Sequence, residues 1–164
     1  MTRALWFIFL TVFLDVTGFG LIIPVLPRLI QELGHVTISE ASPIGGWMAA
    51  SYSIMLFLFA PIMGGLSDQF GRRTVLMLCL AAFGLDYIIQ ALAPNLTWLF
   101  AGRIIAGITG ATYSVAGAYI ADVSSAEKRA QNFGLIGAAF GLGFIVGPLL
   151  GGVLAEYGLR VPFY

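Results

Sequence analysis

Five apolar stretches, at about 4–27, 44–66, 74–93, 96–120 and 131–154, alternate with short polar segments along the chain. Each is close to the ~20 residues that cross the hydrocarbon layer as a helix. Runs such as Ile54-Met55-Leu56-Phe57-Leu58-Phe59-Ala60 do not alternate in polarity, unlike the ~10-residue strands of a membrane β-barrel. The pattern therefore predicts an all-α membrane protein with five transmembrane helices. The first stretch is expected to be a true span and not a signal peptide. It is too long, it contains Asp15, and it lacks a small-residue cleavage site.

Composition agrees with this reading. Of 164 residues, 59% are hydrophobic and 10% charged, and the mean hydropathy of +0.95 lies outside the range of soluble globular domains. The partner this predicts is the lipid bilayer; a formal net charge of +0 gives no reason to expect nucleic acid.

Charge placement sets an orientation. Arg3, Arg72, Arg73, Lys128 and Arg129 fall on one side of the predicted spans, and Arg28 and Arg160 on the other. Basic residues beside spans stay in the cytoplasm, so a cytoplasmic N-terminus is predicted, in a multi-pass protein of the cell inner (plasma) membrane. Trp6 falls at the inner end of the first span, and Trp47 and Trp98 at outer ends, where indoles settle at headgroup level.

Cys79 is the single cysteine and lies within the third span, so a disulfide framework and a cysteine metal site are both excluded. His35 belongs to an outer loop expected over 28–43. Asn95-Leu96-Thr97 matches a glycosylation acceptor but sits in a tight turn at the membrane. Gly141 to Gly147 lacks the spacing and the preceding strand of a dinucleotide fingerprint. No nucleophile with a base and no metal-ligating cluster is present, so neither an enzyme nor a bound cofactor is expected.

Three ionisable side chains fall inside spans: Asp15, Asp86 and Arg103. Such groups are costly in lipid and normally face a cavity or one another. The third and fourth spans form a hairpin at Pro94-Asn95, with Asp86 8 residues before Pro94 and Arg103 9 after it. At ~1.5 Å per residue both lie roughly 10–13 Å below the turn, at matching depth. Two readings are open. The pair fastens the hairpin, or Arg103 balances a polar cavity in which one or both aspartates bind a proton or a substrate cation. A carboxyl group between a desolvating cavity and a guanidinium can be made sensitive to occupancy. For Asp15 the bland alternative is a hydrogen bond to Thr11 or Thr17.

Small residues mark two helices. Gly102, Ala106, Gly110, Ser114 and Ala118 recur every fourth position in the fourth span, beside a row of Arg103, Gly107 and Ala111. In the fifth, Gly137 and Gly141, Gly143 and Gly147, and Gly147 and Gly151 repeat likewise, with Pro148 removing a backbone donor. Both patterns predict close helix contact.

The segment from Gly64 to Thr74, with Gly64, Asp68, Gly71, Arg72 and Arg73, resembles the signature loop between helices two and three of the major facilitator superfamily. Gln69 stands where that pattern commonly has arginine. Leu14 to Pro27 is similar to the first helix of the twelve-span drug/proton antiporters. Arg103 with Gly107 matches their fourth-helix arginine motif, and Gly143, Gly147, Pro148, Gly151 and Gly152 their fifth-helix antiporter motif. Leu85-Asp86-Tyr87 and Gly107 to Thr112 resemble the tetracycline/proton antiporters in particular.

The resemblance implies five helices of an N-terminal six-helix bundle. It also implies efflux of a small organic compound, a tetracycline-like drug, in exchange for a proton by alternating access. The drug of such antiporters commonly travels as a magnesium chelate. Asp15, Asp86 and Arg103 are the implied proton-coupling and cavity residues, and the Gly64 to Arg73 loop a cytoplasmic latch. The chain is expected to be an incomplete bundle over 1–164, stopping at Val161-Pro162-Phe163-Tyr164 where a sixth helix would begin. Its partner would be the missing C-terminal half of the same transporter. The alternatives are a facilitator importing a sugar or metabolite, which the Gly147-Pro148 region argues against, and a non-transporting membrane fragment.

Overall fold

The computed structural model describes residues 2–164 and is helical almost throughout. Six α-helices follow one another: α1 (Arg3–Gly34), α2 (Ile38–Phe70), α3 (Arg72–Leu92), α4 (Leu96–Thr109), α5 (Thr112–Val123) and α6 (Ala126–Ala155). A short 3-10 turn, Val161–Phe163, closes the described chain. With α4 and α5 taken as one segment, five helical segments are long and apolar enough to cross a membrane.

The polar segments are shorter than the hydropathy pattern suggests. The expected outer loop over 28–43 shrinks to 35–37, because α1 continues past its charged residues while Leu29 and Ile30 keep the buried face in register. His35 ends the helix in the left-handed region (φ 49°), its N–H donating to the carbonyl of Gln31. The Thr37 N–H then donates to the Glu40 carboxylate (2.9 Å) to start α2. The Gly64 to Thr74 segment is not a loop either. Residues 64–70 complete α2, Arg72 opens α3, and Gly71 alone turns the chain at φ 92°. A side chain is strained at that dihedral, so the turn needs glycine.

The fourth apolar stretch, expected to be one helix, breaks after Thr109. Gly110 and Ala111 have ψ values of 8° and 14°, in the sparsely populated bridge region, and the Thr109 hydroxyl bonds back to the carbonyl of Ile105 (3.1 Å). The break interrupts the row of small residues. Gly102 and Ala106 are buried, but Ser114 is exposed and the buried face of α5 is Thr112, Val115, Ala116 and Ile120.

Two apolar clusters hold the bundle. One gathers Ile8, Val12, Leu76, Cys79, Val115, Ile120 and Ile136; the other gathers Val25, Leu29, Ile30, Met48, Leu99 and Phe163. The lone thiol is thus a core group. The most extensive helix contact is α1 against α6. A Cβ on Gly143 would lie 2.9 Å from Val16, while those on Gly147 and Gly151 would run into the carbonyls of Thr17 and Leu21. Pro148 leaves α6 unbroken and brings its Cδ against Gly20. The other expected row does not form: Gly137 and Gly141 face open space, as does Gly152 of the antiporter motif.

Candidate functional site

Asp86 and Arg103 come together as their matched depth predicts. Both are buried, at 0% and 5% exposure, and one guanidinium nitrogen of Arg103 donates to Asp86 Oδ2. The same oxygen accepts from Gln90 Nε2 (2.6 Å), one helical turn further along α3. Asp86 Oδ1 has no hydrogen-bond partner and rests against Gly102, where a Cβ would lie 2.6 Å away. Glycine at 102 is therefore a condition of the pair. Arg103 also lies 6.0 Å from the ring centroid of Tyr52, so α2, α3 and α4 all converge on one guanidinium. A buried ion pair loses hydration on both partners, and its mutual attraction offsets that loss only with satisfied geometry. Gln90 supplies one donor, while Gln90 Oε1 and Arg103 Nε, like Asp86 Oδ1, are buried without a partner.

Asp15 is separate from this pair. Its Oδ1 accepts from the Thr112 hydroxyl (3.1 Å), across the α1 to α5 contact. The alternatives of Thr11 and Thr17 are corrected: Thr11 donates to the carbonyl of Phe7 (2.8 Å), and the buried Thr17 hydroxyl has no partner. The break before α5 exposes Thr112 to Asp15 at its first position.

Two cavities adjoin these groups. The larger, about 430 Å³, lies between α1 and α2, and Arg103 is the one charged side chain in its lining. The smaller, about 220 Å³, has Asp15 as its one charged side chain and is otherwise largely aromatic and aliphatic. Phe19 and Tyr52 belong to both walls, with ring centroids 6.0 Å apart. Gly107 admits the Tyr52 backbone: a Cβ there would lie 2.5 Å from its carbonyl oxygen. The residue pattern passed over Tyr52 and Gln90, and Thr112 entered only as the end of the Gly107 to Thr112 segment, without a role. Gln90 had a usable signal, being polar within a span and one turn from Asp86. Tyr52 had none, and nothing in the pattern linked Thr112 to Asp15.

Around the turn at Gly71, Arg72 bonds Ser67 Oγ (2.6 Å) and Asp122 Oδ2 (2.9 Å) and pairs with Asp68. Asp68 stands in the last turn of α2, so the positive charge that follows it offsets an otherwise unfavourable dipole position. Gly64 has open space around it. Arg73 turns away toward Phe7. At the opposite end Arg160 donates to the carbonyls of Ala91 and Ala93, both at 3.0 Å. Asn95 caps α4 through the Trp98 N–H (3.2 Å).

Residues 8–164 match the Major Facilitator Superfamily. The chain belongs to this superfamily. Among the described residues no group of three or more His, Cys, Asp or Glu is placed to hold a metal. Within the superfamily it is 52% identical over 93% of its length to the tetracycline resistance protein, class C, of Escherichia coli, of which it covers 38%. It is 33% identical over its whole length to the quinolone resistance protein NorA of Staphylococcus aureus, covering 41% of that protein. The crystal structure of the human organic anion transporter MFSD10 (TETRAN) superposes with a TM-score of 0.81 at 29% identity, over 99% of this chain and 45% of that one. The chain thus spans about two fifths of the length of the curated relatives it matches, and it is a multi-pass membrane protein.

Proposed function

We propose that this bundle takes part in proton-coupled efflux of a small organic compound, with a tetracycline-like drug as the substrate, by alternating access. The observation that carries the reading is Arg103, buried against Asp86 and yet the one charge facing the larger cavity. A protonatable carboxylate whose partner borders a cavity has its charge balance altered by anything that enters there. Asp15 offers a second carboxylate beside the smaller cavity. The 52% identity to a tetracycline resistance protein supports the choice of substrate.

Alternating access requires two bundles rocking about a midplane site, so the partner is the C-terminal half of the same transporter. The orientation is N-terminus cytoplasmic in the cell inner membrane. Supporting this, Arg72 and Arg73 at the turn, Arg3 beside Arg73, and Lys128 and Arg129 at the start of α6 gather at one end of the bundle. At that end the Asp68, Arg72 and Asp122 network serves as a latch. The transported species is the drug with magnesium.

The test is uptake of tetracycline with magnesium into inverted vesicles, driven by a pH gradient. The transporter is assembled by joining residues 1–164 to the remaining length of the class C relative. Asp15→Asn and Asp86→Asn are each expected to abolish accumulation. Normal accumulation by both variants would sink the assignment.

A further inference from the structure

Arg72 and Arg73 adjoin in sequence but are sent to different places. Arg72 is absorbed by Asp68, Asp122 and Ser67. Arg73 turns toward α1, its Cζ 5.2 Å from the centroid of the Phe7 ring. There it shares a cavity of about 450 Å³ with Arg3, Ala4, Phe7 and Tyr119, at the first turns of α1 and α3 and near the end of α5. The ion pairs among the described residues are Arg72 with Asp68, Arg72 with Asp122, and Arg103 with Asp86; neither Arg3 nor Arg73 takes part. Two guanidiniums therefore border one cavity whose lining holds no carboxylate. The positive ends of two helix dipoles add to the same field.

The remaining chemistry favours a particular anion. The Arg73 guanidinium carbon lies over the Phe7 ring, and guanidinium N–H groups match phosphate oxygens in a forked geometry. Tyr119 contributes a neutral hydroxyl donor. Trp6 is half-exposed, as expected of an indole at headgroup level. Arg3, three residues closer to the helix start, lies ~4.5 Å further toward water, the level of lipid phosphates. Ala4 and Phe7 supply an apolar wall below.

The geometry points to a phosphate-binding site formed by Arg3, Arg73 and Tyr119, which takes the phosphate group of an anionic phospholipid or a free phosphate anion. Basic pockets between helices at this face of a membrane protein recognise headgroups in this way. The site is independent of drug transport, because its test reads binding alone.

Full-length protein is placed in phosphatidylcholine nanodiscs containing phosphatidylglycerol, and the phosphatidylglycerol retained after extraction is counted by native mass spectrometry. Arg3→Gln and Arg73→Gln are each expected to retain it about fivefold less tightly, and the double variant to lose it. Arg73→Lys should keep most binding, which separates loss of charge from loss of fold. Lys128→Gln, at the same end but outside this cavity, should bind as the wild type does. In a second arm, inorganic phosphate is added to protein in phosphatidylcholine alone. A rise in unfolding temperature that the double variant lacks assigns the site to free phosphate. Equal lipid retention by wild type and double variant, with no phosphate effect on the wild type, overturns the site.

Discussion

Asp86 and Gly102 are matched across the α3 to α4 hairpin: the carboxylate occupies the space where a side chain at 102 would be, with Oδ1 2.6 Å from that Cβ position. The pair that draws attention in the sequence, Asp86 with Arg103, therefore depends on a third residue that carries no functional group.

Gly102→Ala should displace the carboxylate from Arg103 and Gln90. Forcing one extra methyl into a packed site costs about 1–3 kcal/mol. Unfolding can be followed with a thiol-reactive fluorophore, since Cys79 is the single thiol and is buried. An unchanged unfolding temperature would show that the carboxylate has room to move.

Removing one partner of the buried pair should be worse than removing both. Asp86→Ala or Arg103→Ala leaves an uncompensated charge and should cost about 3–5 kcal/mol each. The double variant should lose less than either single variant. A double-mutant cycle on unfolding temperature checks this, and strict additivity would mean that the two side chains do not act together.

The glycines of α6 should divide by face. Gly147→Ala and Gly151→Ala drive a methyl into the α1 backbone and should each destabilise the bundle by about 1–3 kcal/mol. Gly152→Ala meets nothing within 4 Å and should be neutral, or stabilising by up to ~1 kcal/mol through helix propensity. Thermal unfolding of the three variants in one detergent decides the matter.

Thr112 should matter through Asp15. Thr112→Val deletes the donor to Asp15 Oδ1, and hydrogen bonds to charged groups are worth about 1.5–3 kcal/mol. In the complete transporter, drug uptake at a fixed pH gradient should fall, and Thr112→Ser should restore it. Failure of serine to rescue would assign Thr112 a packing role instead.

The helices and the depth of the ionisable residues were legible because apolar length and the rise per residue are local quantities. Matching Asp86 to Arg103 needed only a count from Pro94. The partners of Asp15 were not legible, since Thr112 lies 97 residues away and reaches it only through the break at Gly110 and Ala111. The glycine rows misled for a related reason. Periodicity marks every face on which small residues recur, and only the facing helix selects which face is used. Gly143, Gly147 and Gly151 meet α1, whereas Gly137 and Gly141 meet nothing.

By itself the sequence determined an all-α membrane bundle, its number of spans, and the three ionisable side chains that do not belong in lipid. These follow from transfer free energies and helix geometry, which each segment carries alone. Only the tertiary structure decided that Arg72 and Arg73 part company, that Gln90, Tyr52 and Thr112 surround the charges, and that glycines at 102 and 107 make room for them. Those outcomes depend on which helix faces touch, and contact between distant segments is set by packing the whole bundle at once.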